Sequence, residues 1–265
     1  MNRRSFLKRI LFTAGATLAS GSAYALHSVD LDITRQQVPV KGLKQRVRIV
    51  ALSDLHAPCF YLSTSDLTRT INAEKPDVLI LAGDMFGVSD FEGTIAGFKN
   101  ARAEYAKLAV LGNWEYQLNL SFESLKKAYE DAGIKLLING TCEVNGLKIL
   151  GLDDLLHGSP NYKLAYDGSS NALPALIVSH CPGNFDRIAP GTINEKIVIS
   201  GHTHGGQIAP FGRALVTPPG SGQYVKGWYR RGNNSMYVMR GVGANYVPVR
   251  IGARPELLVL DLVPD

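Results

Sequence analysis

Seven side chains that can bind a metal ion follow directly on short apolar runs of this sequence. The runs have the length and the Val/Ile content of buried strands. They are Val47–Leu52, Val78–Ala82, Leu108–Leu111, Ala175–Val178 and Ile197–Ile199. The side chains that follow them are Asp54, His56, Asp84, Asn113, His180, His202 and His204. Because strands of an α/β sheet present functional groups at their carboxyl ends, we expect these side chains to meet in one site.

The spacing of these residues suits two adjacent metal positions. Asp54 and His56 are separated by one residue, as are His202 and His204, and the two oxygens of the Asp84 carboxylate could bridge two ions. Oxygen and nitrogen ligands without a thiolate suit divalent manganese, iron, cobalt or zinc. Two such ions promote displacement at phosphorus, because they form hydroxide from a shared water and neutralise the phosphate oxygens.

The first half of the chain reads as alternating strands and helices. Helices are expected over Ser65–Ala73 and Ser121–Ala132, with a helical or loop segment at 90–106 between them. This order over residues 46–132 predicts right-handed crossovers and a largely parallel sheet.

The second half is richer in strands. They are expected at Lys135–Leu137, Thr141–Val144, Leu147–Leu150, Leu173–Val178, Met236–Met239 and Leu257–Leu262, with a short helix at Asn184–Ile188. The alternation of apolar and polar residues around Pro39 and Gly42 indicates an edge hairpin that leads into the first core strand. We therefore predict an edge-hairpin segment at 26–45 and, at 46–265, one domain of two packed sheets with helices outside.

Residues 1–25 read as an export signal. Arg3 and Arg4 are followed by Phe-Leu-Lys, a mildly apolar stretch and an Ala23-Tyr24-Ala25 cleavage motif, a pattern typical of the bacterial twin-arginine route. That route carries folded proteins, so it suits a protein that must acquire its metal first. The expected location is the periplasm or the outer face of the cytoplasmic membrane, with the twin-arginine translocase as partner; the alternative is an uncleaved anchor.

Charge and cysteine content exclude other classes. The net charge of +5 belongs largely to the leader, since the remaining residues carry 24 basic and 23 acidic side chains. Nucleic-acid binding is not expected, because it would require a basic stripe on the folded domain. Three cysteines without C-x-x-C spacing argue against a disulfide framework or a structural zinc site.

The ordered motifs Asp54-Leu-His56, Gly83-Asp84, Gly112-Asn113, His180 and Gly201-His202-Thr-His204 resemble those of the calcineurin-like metallophosphoesterases. The resemblance runs from about residue 46 to 262 and is strongest to a bacterial branch of exported or membrane-associated phosphoesterases. It implies a four-layer α/β/β/α sandwich and two divalent ions (manganese, iron or zinc, with manganese favoured). Asp54, His56 and His204 would hold the first ion, Asn113, His180 and His202 the second, and Asp84 would bridge them.

The sequence departs from the family motif directly after Asn113. The family carries a histidine there that contacts the phosphate and can protonate the leaving group, whereas this chain has Trp114. An indole N–H donates a hydrogen bond but transfers no proton near neutral pH. Either the substrate has a good leaving group, or His157, Asp153 or a metal-bound water supplies the proton, or the site binds phosphate without turnover. Trp114 itself could stack on a sugar or base, or only pack.

These observations predict an enzyme that hydrolyses phosphodiester or pyrophosphate bonds by attack of metal-bound hydroxide, on a lipid-linked or nucleotide-linked substrate. The alternatives are a broad phosphomonoesterase and a non-catalytic phosphate-binding protein. Arg250 is a candidate contact of the phosphate, with an ordinary exposed arginine as the alternative. A Gly/Pro-rich segment that mixes aromatic and basic residues could bind an anionic amphiphile or a membrane surface, or be a packed loop: Phe211, Arg213, Tyr224, Lys226, Trp228, Tyr229, Arg230 and Arg231.

Overall fold

A computed structural model of the chain describes residues 30–57, 62–87, 90–118, 120–166, 173–188 and 195–265. The leader at 1–25, its cleavage motif and His27 lie outside these ranges, so the export signal stays a prediction. Within them, no helix combines the length and the hydropathy needed to cross a membrane.

The described residues form twelve strands in two sheets. In chain order they are β1 (Asp32–Val40), β2 (Val47–Leu52), β3 (Val78–Ala82), β4 (Ala106–Val110), β5 (Lys135–Leu136), β6 (Gly140–Val144), β7 (Leu147–Gly151), β8 (Ala175–Val178), β9 (Lys196–Ser200), β10 (Gly227–Arg231), β11 (Asn234–Val238) and β12 (Glu256–Pro264). The first sheet has the order β1-β12-β2-β3-β4-β5, and the second has the order β10-β11-β9-β8-β7-β6.

Both sheets are mixed, and each contains four adjacent parallel strands. In the first sheet β2, β3, β4 and β5 are parallel and β12 is antiparallel to β2. In the second sheet β7, β8, β9 and β11 are parallel, while β6 and β10 pair antiparallel at the two edges. Each sheet therefore has four parallel strands whose carboxyl ends lie at one edge of that sheet.

The helices lie mainly against the first sheet. They are α1 (Thr64–Glu74), α2 (Phe91–Ala96), α3 (Asn113–Gln117) and α4 (Phe122–Asp131). Helix α1 begins one residue earlier than the expected Ser65, because the hydroxyl of Ser63 caps it and accepts the N–H of Asp66 at 3.1 Å. Helix α4 lies within the expected range Ser121–Ala132, and Ser121 caps its first turn.

Three apolar layers hold these elements together. Alternate residues of the two sheets, such as Ile49 and Ile149, pack between the sheets, and the opposite face of the first sheet packs against helices through residues such as Leu67. The outer face of the second sheet is covered by 3-10 helices at Tyr162–Tyr166 and Pro182–Asp186. The predicted single domain of two mixed sheets flanked by helices is confirmed, and short 3-10 turns cover its second sheet.

The predicted edge hairpin is wrong. Strand β1 is an edge strand, but it pairs in parallel with β12, and β12 lies between β1 and β2. The turn at Gly42 therefore carries the chain across a neighbouring strand instead of joining two hydrogen-bonded strands.

Candidate dimetal site

The seven predicted ligands come from the carboxyl ends of both sheets. Strands β2, β3 and β4 of the first sheet lead to Asp54 and His56, to Asp84 and to Asn113, and strands β8 and β9 of the second lead to His180, His202 and His204. All seven residues are buried. The sandwich therefore converges them at the edge where the carboxyl ends of its two sheets meet.

Backbone strain is concentrated at this edge. Five of the seven residues have a positive φ between 46° and 71°, which L-residues other than glycine rarely adopt: Asp54, His56, Asp84, His202 and His204. Such strain persists only where the surrounding structure enforces it, and it is typical of functional sites. The strand ends turn sharply there so that the side chains point at a common centre.

Two glycines permit the close approach of these turns. Gly83 has φ +87°, and a Cβ there would lie 2.6 Å from Nδ1 of His180. A Cβ on Gly112 would lie 2.3 Å from Oδ1 of Asp84. Both positions therefore exclude any side chain, because it would displace a predicted ligand.

The ligand side chains form two groups. Asp54, His56 and His204 make one group and Asp84, His180 and His202 the other, with the ligand atoms of each group within 4.8 Å of one another. Nε2 of His56 lies 3.1 Å from Nε2 of His204. Oδ2 of Asp84 lies 3.3 Å from Nε2 of His180 and 3.7 Å from Nε2 of His56, so its carboxylate faces a ligand of each group.

Hydrogen bonds fix which ring nitrogens face the centre. His180 directs Nδ1 to the carbonyl of Ala82 at 2.8 Å, and His202 directs Nε2 to the carbonyl of Pro219 at 2.7 Å. A carbonyl only accepts, so these nitrogens carry protons, and the other nitrogens face the centre. Those two nitrogens, Nε2 of His180 and Nδ1 of His202, lie 3.3 Å apart.

These contacts fit divalent cations. The two ring nitrogens that face the centre are 3.3 Å apart, and two ligands at about 2.1 Å from an ion at right angles are about 3 Å apart. The amide oxygen of Asn113 is buried and has no hydrogen-bond partner, which is the condition of a ligand that requires a cation. The residues present therefore fit the two ions that the sequence predicted.

Burial and neighbouring charges shift the pKa values of the ligand side chains. Burial lowers the pKa of His56 to about 4, and burial together with His56 and Arg250 holds the pKa of His204 well below its usual range. Burial acts against the ionised form of Asp84, but the facing His180 overcomes it and lowers the pKa of that carboxyl. Burial opposes the charged form of His180, but the facing carboxylates of Asp84 and Asp54 overcome it and raise the pKa of His180 well above its usual range. A cation at this group would therefore displace a proton from His180, whereas His56 and His204 already offer neutral imidazoles near neutral pH.

Glu115 organises the loop after β3, a role that the sequence did not predict. Its buried carboxylate accepts the N–H groups of Asp84 at 3.0 Å, Met85 at 2.9 Å and Gly112 at 2.9 Å. Burial and the nearby charge of Asp84 raise its pKa to about 7. Its place as the third residue of a helix that begins after Gly112 is the sequence signal that marks it as a capping residue.

Arg250 supports the site through hydrogen bonds to the main chain. Its buried guanidinium donates to the carbonyls of His204, Arg240, Gly243 and Ala253, and a fifth N–H points at Nδ1 of His204 at 3.3 Å. Four of its N–H groups are engaged by main-chain carbonyls and the fifth faces the ring of His204, so none is directed at a phosphate. The expectation that Arg250 contacts substrate is corrected: it positions His204.

Trp114 lies half-buried at the mouth of the site. Its ring meets the ring of His56 edge-on, with centroids 5.1 Å apart, and lies 6.3 Å from the ring of Tyr246. Its backbone N–H donates to Oδ1 of Asp84 at 2.9 Å. Trp114 therefore lies against the ligand groups, but it does not have the chemistry of an acid.

The two side chains considered as replacement acids are placed differently. Asp153 is buried and accepts from the hydroxyl of Tyr116 and from the N–H groups of Asp154 and Ser159, so it is held as an acceptor. His157 is exposed and its Nε2 lies 3.1 Å from the amide nitrogen of Gln117. Neither contact delivers a proton to the ligand groups.

Comparison with known proteins decides the family. The model of the calcineurin-like phosphoesterases matches residues 47–206. The chain belongs to this family. It is 30% identical to the metallophosphoesterase YkuE of Bacillus subtilis (strain 168) over 99% of this chain and 98% of that protein. It is 26% identical to YkoQ of the same organism over 81% of this chain and 83% of that protein.

The fold agrees with a solved structure. The NAD nucleotidase NadN of Haemophilus influenzae superposes with a TM-score of 0.52 and 15% identity, over 75% of this chain and 45% of that one. Family and geometry together make this phosphoesterase a metal-dependent hydrolase of phosphoric esters, with two residue groups that could each hold an ion.

Proposed function

We propose that this phosphoesterase hydrolyses phosphodiester or pyrophosphate bonds, on a lipid-linked or nucleotide-linked substrate. The observation that carries the proposal is Trp114, which occupies the place of the family's proton donor. Without a general acid the rate falls by about 10²–10⁴ for a poor leaving group. A phosphate or an acidic alcohol leaves without that help, so such substrates suit this site best.

The chain's own residues bind and orient the reacting groups. The carboxylates of Asp54 and Asp84, the amide of Asn113 and four imidazoles would hold the two ions, which when bound would activate water and neutralise the phosphate charge. Glu115 and Arg250 fix the turns that carry Asp84 and His204. Trp114 and Tyr246 form an aromatic wall beside His56, on which a base, a sugar or an apolar chain can pack.

A direct assay separates the proposal from its alternatives. Manganese-loaded protein is expected to cleave bis-p-nitrophenyl phosphate faster than p-nitrophenyl phosphate. Faster cleavage of the monoester would favour the phosphomonoesterase. If the protein shows no metal-dependent cleavage of either substrate, and Asp84→Asn changes neither background rate, the non-catalytic phosphate-binding protein would be favoured.

The exported location is part of the proposal and is supported by the sequence of residues 1–25. The protein would be carried by the twin-arginine translocase and act in the periplasm or at the outer face of the cytoplasmic membrane. Replacing Arg3 and Arg4 together by lysine is expected to retain the protein in the cytoplasm. A mature N-terminus at Met1 would contradict cleavage after Ala25.

A further inference from the structure

The exposed apolar side chains are concentrated in one region. Of the ten large hydrophobic side chains that the described residues expose, seven lie between residues 211 and 249. Six of these lie in two loops, 207–216 and 245–249, and are here named the apolar rim: Phe211, Leu215, Val216, Tyr246, Val247 and Val249. A cluster of this kind marks an interaction surface, whereas single exposed apolar residues do not.

The two loops form one surface. The side-chain amide of Gln207 donates to the carbonyls of Asn245 and Val247, both at 3.0 Å, and its oxygen accepts the N–H of Asn245 at 2.8 Å. The backbone adds a bridge between Ile208 and Ile251. The two loops of the apolar rim are therefore fixed to each other.

The two aromatic residues of the apolar rim have a strained backbone conformation, and their side chains are almost fully exposed. Phe211 has φ +55° and is 99% exposed, and Tyr246 has φ +57° and is 91% exposed. A bulky side chain in the left-handed region is costly, and burial within the chain does not compensate for it here. The two aromatic rings are presented to something outside the molecule.

The charges of this part of the sequence, with Arg213 in a rim loop, favour an anionic partner. The sequence has no acidic residue between Glu195 and Glu256, while Arg213 and Arg230 are exposed within this stretch. Aromatic and aliphatic side chains with interspersed cations are the composition that settles at the interface of an anionic bilayer. Tyr224 and Tyr229 do not contribute, since they pack within the second sheet's outer layer.

The rim is continuous with the mouth of the site. Tyr246 lies 6.3 Å from Trp114, and Trp114 lies 5.1 Å from His56. We infer that the apolar rim inserts into the surface of an anionic phospholipid bilayer and holds the dimetal site at the level of the lipid headgroups. This inference deepens the proposed function, and its lipid-linked substrate rests on that proposal.

Vesicle binding of the full-length, manganese-loaded protein tests the inference. Sedimentation with phosphatidylglycerol vesicles is compared with phosphatidylcholine vesicles. Phe211→Ser/Val216→Ser is expected to bind phosphatidylglycerol at least tenfold more weakly, with unchanged metal content and unchanged cleavage of a soluble diester. The matched control Tyr105→Ser/Phe122→Ser removes two exposed aromatic rings elsewhere and is expected to bind like the parent.

Fluorescence tests the orientation independently of the N-terminal residues. With vesicles of brominated phosphatidylglycerol, Phe211→Trp is expected to add a quenched signal, whereas Phe122→Trp adds an unquenched one. Equal quenching at both positions would overturn the inference. So would equal binding to both lipids, or loss of a dimer in Phe211→Ser/Val216→Ser with vesicle binding intact, which would make the rim an interface between copies.

The two proposals fail separately. Asp84→Asn is expected to lose hydrolysis and keep vesicle binding, so binding without hydrolysis of any diester would overturn only the proposed function. Hydrolysis of soluble diesters without preference for anionic vesicles would overturn only the inference about the rim.

Discussion

The indole ring of Trp114 meets the imidazole ring of His56 edge-on, with centroids 5.1 Å apart and planes inclined at 75°. The residue that replaces the family's proton donor is therefore in contact with the ligand group itself. The replacement changes what the site can do, because an indole holds its proton near neutral pH.

Restoring a histidine at this position should extend the range of leaving groups. We expect Trp114→His to raise the hydrolysis of an alkyl phosphodiester by about 10²-fold and to change that of the p-nitrophenyl diester little, because only the alkoxide needs a proton. Trp114→Phe is the control, since it keeps a ring and adds no acid. Steady-state rates for the two diesters measure the effect, and equal behaviour of the two variants would contradict it.

Removing Arg250 should weaken one metal position selectively. Its guanidinium donates to the carbonyl of His204 and approaches Nδ1 of the same ring, and His204 belongs to only one of the two ligand groups. Loss of such a supporting group typically costs about 10–100-fold in metal affinity. We expect Arg250→Met to weaken one of two manganese ions by that factor in equilibrium dialysis.

Two further variants define this effect. Arg250→Lys keeps the charge but not the planar fork, so we expect an intermediate loss of affinity. Arg231→Met removes an exposed arginine and should change neither ion. Equal weakening of both ions in Arg250→Met would show that the arginine only supports the fold.

A cross-strand ion pair should make stability depend on pH. Arg48 on β2 donates two hydrogen bonds of 2.9 Å to Asp261, its register partner on β12. These bonds lower the pKa of Asp261 below its ordinary 3.8. A lowered folded-state pKa means that the stabilisation is present above 3.8 and is lost as the pH falls through the folded value.

We expect Asp261→Asn to lower the free energy of unfolding by up to about 1 kcal/mol at neutral pH, since both side chains are partly exposed. The difference from the parent should shrink in the acid range, where Asp261 is protonated in both states. Urea unfolding of the two proteins across this range measures it. A difference that is constant with pH would contradict the assignment.

The strands that carry the ligands could be predicted because their signal is local. Runs such as Val47–Leu52 and Val78–Ala82 are short, aliphatic and followed at once by polar residues, and the structure has strands over the same residues. The partner of β1 could not be predicted in this way, because β1 pairs with β12 and that pairing joins the two ends of the described chain. The expected hairpin at 26–45 was wrong for this reason.

The roles of the residues that support the site could not be predicted from the sequence, because their partners are also distant in the chain. Arginine is a residue type that can contact phosphate, but the partners of Arg250 are main-chain carbonyls that the fold brings together. Glu115 could have been recognised from its position after Gly112, although its hydrogen bonds to Asp84 and Met85 depend on the neighbouring strand. Phe211 and Tyr246 are separated by 35 positions of sequence, and their loops are joined through Gln207 and the bridge between Ile208 and Ile251.

Equilibrium dialysis of the purified protein against manganese(II) tests the dimetal site most directly. The geometry predicts two ions bound per chain, because the two ligand groups are separate and Asp84 faces both. His204→Ala should leave one ion, since it removes a ligand of only one group. A single ion in the parent protein, or two ions undiminished by His204→Ala, would contradict the assignment.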